Sequence, residues 1–347
     1  MRTSDVIVIG GGIIGLSLAI ALRKRGAQVL LIERGEPGRE ASHAAAGMLA
    51  DDPAELPYAL HPLAAASVRT YPEFVHELQD ESGENVDFRQ HGTLVLTQPV
   101  DNSAEAHTSP PIAELEPALA ETELAVRHVR ESSVDPRALT TAAVKAARHR
   151  EVRISSGTAV SEIRVANGRV AGVATDRTVY FAPAVVNCAG AWSGLLPPNR
   201  FPTRPVKGQM LSVVGGPALH HVIRAPAVYL VPRSDGRILI GATVEEAGFD
   251  KQVVPDTIQQ LHQSAIDLIP ALAQARLHEA WAGLRPGTPD SLPILGATEI
   301  SGYFVATGHF RDGILLAPIT ARVMAQLASG ETPDYDLSAF SPARFSH

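Results

Sequence analysis

Three glycines, Gly10-x-Gly12-x-x-Gly15, stand between the apolar run Val6-Ile7-Val8-Ile9 and an apolar-periodic segment that starts at Ile13. At this spacing they make a phosphate cradle. The first permits a tight turn, the second lets the backbone approach a pyrophosphate, and the third lets a helix pack close on a strand. Phosphate charge is met there by free N–H groups and the positive end of the helix dipole. Glu33 ends the next apolar run, where a carboxylate can accept both ribose hydroxyls of an adenosine. An acid at that point disfavours a 2′-phosphate and hence NADP. Alone, such glycines also mark ordinary turns; strand, helix, second strand and terminal acid together select the dinucleotide.

The fingerprint serves NAD and FAD alike. The stretch Ala41-Ser42-His43-Ala44-Ala45-Ala46-Gly47-Met48 bears on the choice, because small side chains let a backbone run flat beside a large planar ring. Alanine is also a strong helix former, so the same residues read blandly as a helix start. On residue types alone the choice stays open.

Holding these groups in place requires a buried strand at Val6–Ile9 and a helix from Ile13 to about Arg25. Ile14, Leu18, Ala21 and Leu22 form its apolar face, and Gly26 stops it. A second strand at Val29–Ile32 completes a right-handed crossover. Further helices are expected at about Pro62–Asp80, from Asp135-Pro136 (N-cap and N1) to about Arg150, at Asp256–Leu268 and at Gly313–Leu327. Strand signals occur at Arg89–Leu96, near Arg153, and at Val160–Val165, Arg169–Ala174, Val179–Phe181 and Ala184–Cys188. Asn167-Gly168 is a hairpin turn, and Gln98–Pro111 is polar loop. From Pro205 an antiparallel series begins with Lys207–Val214, Val228–Val231 and Arg237–Gly241; Trp281–Pro286 and a strand at Tyr303–Ala306 come after it. The fold class is therefore α/β, a Rossmann-like cofactor domain with a second, mainly antiparallel β-sheet domain carrying helices. Segments 1–80, 135–204 and 286–347 are assigned to the first, and 81–134 and 205–285 to the second.

The 347 residues are 45% hydrophobic and 19% charged, enough for a real core. A net charge of −7 offers no basic field for nucleic acid or an anionic membrane. Cys188 is the only cysteine, which excludes an intrachain disulfide and a cysteine-based metal site. No metal site is expected, since the 13 His include no His-x-His or His-x-x-x-His pair. No targeting segment and no apolar run of about 18 residues appears, so a cytoplasmic protein without a membrane span is expected.

VIVIGGGIIGLSLA, with IER and ASHAAAGMLA after it, resembles the D-amino-acid oxidase superfamily of FAD proteins. Further blocks are Val206-Lys207-Gly208-Gln209, Tyr229-Leu230-Val231-Pro232-Arg233, Gly241-Ala242-Thr243, Trp281 to Thr288 and Gly308 to Pro318. They are collinear over nearly the whole chain and most similar to the glycine oxidase (ThiO) family of thiamine biosynthesis. The resemblance implies FAD, held by Gly10, Gly12, Ile13, Ile14 and Gly15 at the pyrophosphate and by Glu33 and Arg34 at the adenosine. Ala41, Ser42, Ala46, Gly47 and Met48 would line the flavin, and Val160 would offer its backbone to the adenine. His309, Phe310, Arg311, Asp312, Gly313, Ile314 and Leu315 would wrap the isoalloxazine. A helix start near Gly313 would supply N–H groups and positive dipole to the reduced ring, with Pro318 tolerated as a slight kink.

The resemblance makes Arg285 the residue for a substrate carboxylate, since a guanidinium forks onto two oxygens as lysine cannot. Tyr229 would add a phenol hydrogen bond, and Arg311 would sit near both carboxylate and flavin. Without the family, an arginine reads as surface and a strand tyrosine as core. The implied reaction takes a hydride from the amino-acid Cα, leaving an imino acid, and passes the electrons to O2 as H2O2. No side-chain base is needed if the amine reacts neutral, so no catalytic side chain is assigned. A homo-oligomer, tetrameric in this family, is implied as well. Glycine oxidases carry His and Met where this chain has Ala227 and Val244, and the smaller Ala227 would widen the pocket. Some relatives bind flavin covalently through a histidine three residues before the loop glycine. His43 lies four before Gly47, so the FAD is expected to be non-covalent. A D-amino-acid oxidase or dehydrogenase with another acceptor, and a non-catalytic FAD-binding subunit, are the alternatives.

Overall fold

The uninterrupted apolar runs Val6–Ile9 (β1) and Val29–Ile32 (β2) pair in parallel, Val6 opposite Val29 and Ile9 opposite Ile32. All eight side chains are buried, as a sheet covered on both faces demands. The computed structural model describes residues 4–98, 111–119, 121–198 and 200–345. Most of the Gln98–Pro111 loop, residues 99–110, lies outside them. Between the two strands runs α1 (Ile13–Lys24), and Gly26 takes a φ of 86° just past its end.

That helix is not one-faced as expected. Ile13, Leu16, Ser17, Ala19 and Ile20 are buried along with Leu18 and Leu22, while Ile14 and Ala21 are only partly covered. The cause is tertiary: the helices Pro136–His149 and Ala317–Ala328 both pack on it, opposite the sheet.

Beyond α1 and β2 come the loop helix α2 (Ala41–Ala44) and the long helix α3 (His61–Ser82). The six-stranded sheet runs Ile294–Ala297, Tyr303–Thr307, Ala184–Asn187, β1, β2, Arg153–Ser155, parallel except at its first pair. A hairpin sheet, Val160–Ala166 with Arg169–Thr175 and Val179–Phe181, covers one face, turning at Asn167 and Gly168 with φ of 51° and 72°. Asp135 caps Pro136–His149 as expected, accepting from the N–H groups of Arg137 at 2.8 Å and Ala138 at 3.3 Å.

The seven-stranded sheet orders Arg276–Gly287, Arg204–Val214, Ile238–Gly241, Tyr229–Pro232, Val222–Arg224, Thr93–Thr97 and Ala125–Val129. It is antiparallel except where Val222–Arg224 meets Thr93–Thr97. The helix Pro255–Leu268 packs on it through Ile258, Leu261 and Ala265. The single strand expected at Arg89–Leu96 is two, Phe88–Arg89 and Thr93–Thr97. They break at Gly92, whose φ is 94° and where a Cβ would collide with the His128 ring. A small sheet of Met48–Leu49, Ser132–Val134 and Phe88–Arg89 joins the loop after α2 to the strand before Asp135. The mixed α/β architecture agrees with the expected class. No helix among the described residues is long and apolar enough to cross a membrane.

Candidate functional site

A cavity of about 510 Å³ opens at the carboxyl ends of β1 and β2, where open α/β sheets hold ligands. The glycines shape it as their spacing predicts. A Cβ at Gly10 would collide with the Cys188 carbonyl, and one at Gly15 with the Gly10 carbonyl. A Cβ at Gly12 would meet nothing nearer than Ser42 Oγ at 3.3 Å, so this glycine keeps space open rather than relieving a clash. The Ser42 hydroxyl accepts from the N–H of Ile13 at 2.9 Å and so ties α2 to the start of α1. Among the described residues the N–H groups of Gly12 and Ile14 have no acceptor, leaving donors for a phosphate at the helix start.

Glu33 is buried at the end of β2 and faces the cavity. Its oxygens accept from Gly11 N at 2.7 Å and Gly35 N at 2.8 Å, which fixes the carboxylate while leaving lone pairs for hydroxyls. Arg34 lies 3.5 Å above the Trp192 ring, which stacks on Phe249, and pairs with Glu40 at 2.8 Å. Thr158, Val160, Cys188 and Trp192 close this end of the cavity. Burial pushes the Cys188 thiol up, so it stays protonated.

Toward the other end, the small residues of α2 do what their size suggests. Gly283 would clash with Ala44 if it carried a Cβ, and Trp281 Nε1 donates to the Ala44 carbonyl at 3.0 Å. The loop is thus clamped against the strand that carries Arg285. Gly47, with a φ of 78°, leaves no room for a Cβ against the Val134 carbonyl, and Ala46, Gly47 and Met48 line the cavity. His43 does not line it.

Arg285, Tyr229 and Arg311 come together on this wall. Arg285 is largely covered, and its guanidinium lies flat over Gly208, where a Cβ would collide with it. Nη1 donates to the Thr243 carbonyl at 3.0 Å. Burial draws its pKa down, and the Tyr229 hydroxyl offsets part of that. Burial in turn pushes the Tyr229 phenol up, against the pull of Arg285. Among the described residues no carboxylate forms an ion pair with Arg285 or Arg311, whereas many other arginines have one. Two guanidiniums without a directly paired carboxylate at one cavity wall make an anion site.

The segment from His309 onward differs from expectation. The last helix begins at Ala317, not near Gly313, and Pro318 falls in its first turn, where it needs no kink. Residues 313–316 form a turn, and two of its carbonyls accept from another helix: Ser67 Oγ donates to Leu315 O and Tyr71 OH to Ile314 O, both from α3. Any N–H groups offered to a ring here come from this turn and not from a helix start. Phe310, at a φ of 46°, donates its N–H to the Pro286 carbonyl at 3.0 Å. His309 is buried with Nε2 3.1 Å from Thr320 Oγ1, and burial lowers its pKa to about 3. Burial pushes Asp312 up to about 6.

Of the expected residues, Gly15, Asp312 and Leu315 do not line the cavity; Gly15 instead serves the helix–strand contact. Ala227 and Val244 are exposed, and neither lines it. Trp192, Met210, Gly208, Gly283 and the α3 pair Ser67 and Tyr71 carry no local signal, since each acts through an element distant in sequence. The donor set fits FAD: a phosphate cradle, a ribose carboxylate, a small-residue wall for a planar ring and an adjoining anion site.

Comparison with known proteins agrees. Residues 5–327 match the family described as DAO, FAD dependent oxidoreductase. A bifunctional ThiO/ThiG protein of Synechocystis is 37% identical over 99% of this chain but 54% of its own length, so the chain spans about half of that relative. A glycine oxidase of Pseudomonas aeruginosa is 36% identical, covering 97% of this chain and 98% of its own. The hydrogen cyanide synthase subunit HcnC of the same species is 33% identical over 99% and 97%. The crystal structure of glycine oxidase from Geobacillus kaustophilus superposes with a TM-score of 0.93 at 32% identity, covering 99% of both chains. With fingerprint, cavity and anion wall all in place, the chain belongs to the DAO family of FAD dependent oxidoreductases.

Proposed function

We propose that the protein oxidises a small amino acid, glycine foremost and sarcosine or small D-amino acids next, to the imino acid, with O2 reduced to H2O2. The observation that carries this reading is the meeting of Arg285, Tyr229 and Arg311 on one wall of the cofactor cavity with no ion-paired carboxylate among the described residues. When bound, FAD supplies the two-electron oxidant and returns the electrons to O2. Arg285 takes the substrate carboxylate, and the Tyr229 hydroxyl and Arg311 fix its orientation. The amine reacts unprotonated, so its lone pair forms the C=N bond as the Cα hydride leaves, and no side-chain base is required. Burial of this wall strengthens each polar contact by excluding water.

The assigned holders of FAD are Gly10, Gly12, Ile13, Ile14, Glu33, Arg34, Ala41, Ser42, Ala46, Gly47, Met48, Val160, His309, Phe310, Arg311, Gly313 and Ile314. The cofactor is read as non-covalent: His43 is off the cavity, and Cys188 lies beside Gly10, at the phosphate cradle. The two large sheets support dividing the chain into a cofactor part (1–80, 135–204, 286–347) and a substrate part (81–134, 205–285). The ThiO-named relatives favour a place in thiamine thiazole formation, in a cytoplasmic homo-oligomer. A purely structural FAD subunit would have no use for the three polar side chains together.

The test is the visible spectrum of the purified protein before and after anaerobic glycine. Yellow protein whose flavin bands bleach supports the reading; bands unchanged by glycine, sarcosine and D-alanine overturn it. Steady-state H2O2 production then separates an oxidase from a dehydrogenase.

A further inference from the structure

We infer that the ion pair between buried Lys207 and partly exposed Glu245 is a positioning device for Arg285, acting through the main chain beneath the guanidinium. The inference rests on Arg285 being the holder of the substrate carboxylate.

Arg285 has no acidic partner among the described residues, so main-chain carbonyls set its direction: Thr243 O at 3.0 Å and Lys207 O at 3.5 Å from Nη1. Both carbonyls belong to residues tied to Glu245. Lys207 and Glu245 exchange two main-chain hydrogen bonds, each 2.9 Å. Their side chains meet as well, with the Lys207 ammonium 3.8 Å from Glu245 Oε2 and 3.4 Å from Asp250 Oδ2. Lysine is almost never so fully covered without such a partner, and Lys207 is 2% exposed.

The Thr243 hydroxyl donates to Glu245 Oε1 and accepts from Gln209 N at 2.9 Å. Gln209, fully buried, donates from Nε2 to the same carboxylate at 2.9 Å and accepts from Val254 N at 2.7 Å. One carboxylate therefore gathers Thr243, Gln209 and Lys207. Burial alone would raise its pKa, but the Thr243 and Gln209 hydrogen bonds and the Lys207 charge hold it below the usual range. Glu245 also acts on Arg285 through its charge. Lys207 beside it offsets part of that pull, and Arg285 remains on the cavity lining.

Glu245→Gln keeps the shape and removes the charge. The readouts are acetate affinity, from perturbation of the flavin bands, together with glycine KM, kcat, flavin content and Tm. The expected result is a rise of about tenfold in acetate Kd and glycine KM, with kcat within about twofold and flavin content unchanged, while Tm falls by a few degrees as buried Lys207 loses one of its two carboxylates. Glu246→Gln, at the exposed neighbour that pairs with Arg204, should change none of these. Arg285→Lys, run in parallel, separates the two assignments. If it leaves acetate Kd unchanged, the carboxylate role of Arg285 falls; if it raises Kd while Glu245→Gln does not, only the positioning role falls. A Glu245→Gln protein that loses flavin and stability together, with acetate affinity intact in the remaining holoprotein, also overturns the positioning role. Should that variant not fold, Thr243→Val carries the same expectation, and an unchanged acetate Kd there overturns it equally.

Discussion

The Ser67 hydroxyl donates to the carbonyl oxygen of Leu315 at 2.6 Å, joining α3 to the turn that leads into the last helix. Both residues are buried, and Tyr71, one turn further along α3, does the same for Ile314. Removing the donor in Ser67→Ala strands a buried acceptor, at a cost of about 1–3 kcal/mol. Tm should fall by a few degrees and flavin should be lost more readily on dilution. An unchanged melting curve would contradict the role.

The fingerprint glycines should separate by what surrounds them. Gly12→Ala meets only Ser42 Oγ in the protein, so apoprotein stability should change by less than about 1 kcal/mol while bound FAD disappears. Gly15→Ala drives a methyl into the Gly10 carbonyl and should fail to give soluble protein. Flavin content and chemical denaturation of the two variants decide it.

At the anion wall, Tyr229→Phe removes one hydroxyl. Its contribution to kcat/KM should be about 0.5–1.5 kcal/mol, or roughly two- to tenfold. Arg285→Lys loses the forked geometry and should cost about 1.5–3 kcal/mol, felt mainly in KM. Equal small effects in the two variants would argue that Arg285 does not take the carboxylate.

Acid stability should depend on His309. Burial holds its pKa at about 3 in the folded protein against 6.5 unfolded, so the folded state refuses a proton that the unfolded chain accepts. Its contribution is fully present above pH 6.5 and is lost as pH falls toward 3, about 3 kcal/mol of it by pH 4. Asp312 works the other way. Raised to about 6, it favours the fold below about pH 4, and this contribution is lost as pH rises through about 6. Denaturant titrations from pH 4 to 8 should show a flatter acid limb for His309→Gln and a steeper one for Asp312→Asn.

The cofactor end of the fold is legible in the sequence because its signals are local: an apolar run, three glycines, a helix and an acid in one stretch. Such patterns survive whatever the rest of the chain does. The last helix starts later than its sequence suggests for the opposite reason. Pro318 has no N–H for the Ile314 carbonyl, but nothing between Gly313 and Leu316 says that Ser67 and Tyr71, from far upstream, will take the carbonyls of Leu315 and Ile314. α1 likewise loses its single face because two other helices close over it. Arg285, Tyr229 and Arg311 carry no signal beyond family resemblance, since two strands and a loop must fold before they meet. Trp192 at the nucleotide end has no signal at all.

The chain holds two tryptophans, of which Trp192 lines the cavity and Trp281 stands behind its wall. Trp192 lies under Arg34 beside the ribose carboxylate, while Trp281 is bonded to Ala44 and packs in the cluster that contains Tyr229. The protein thus carries a pair of intrinsic optical reporters. With Trp281 replaced by Phe, emission tracks the filling of the nucleotide end; with Trp192 replaced, it tracks events at the carboxylate wall. Dye-free fluorescence can therefore time the arrival of cofactor and substrate as two separate signals.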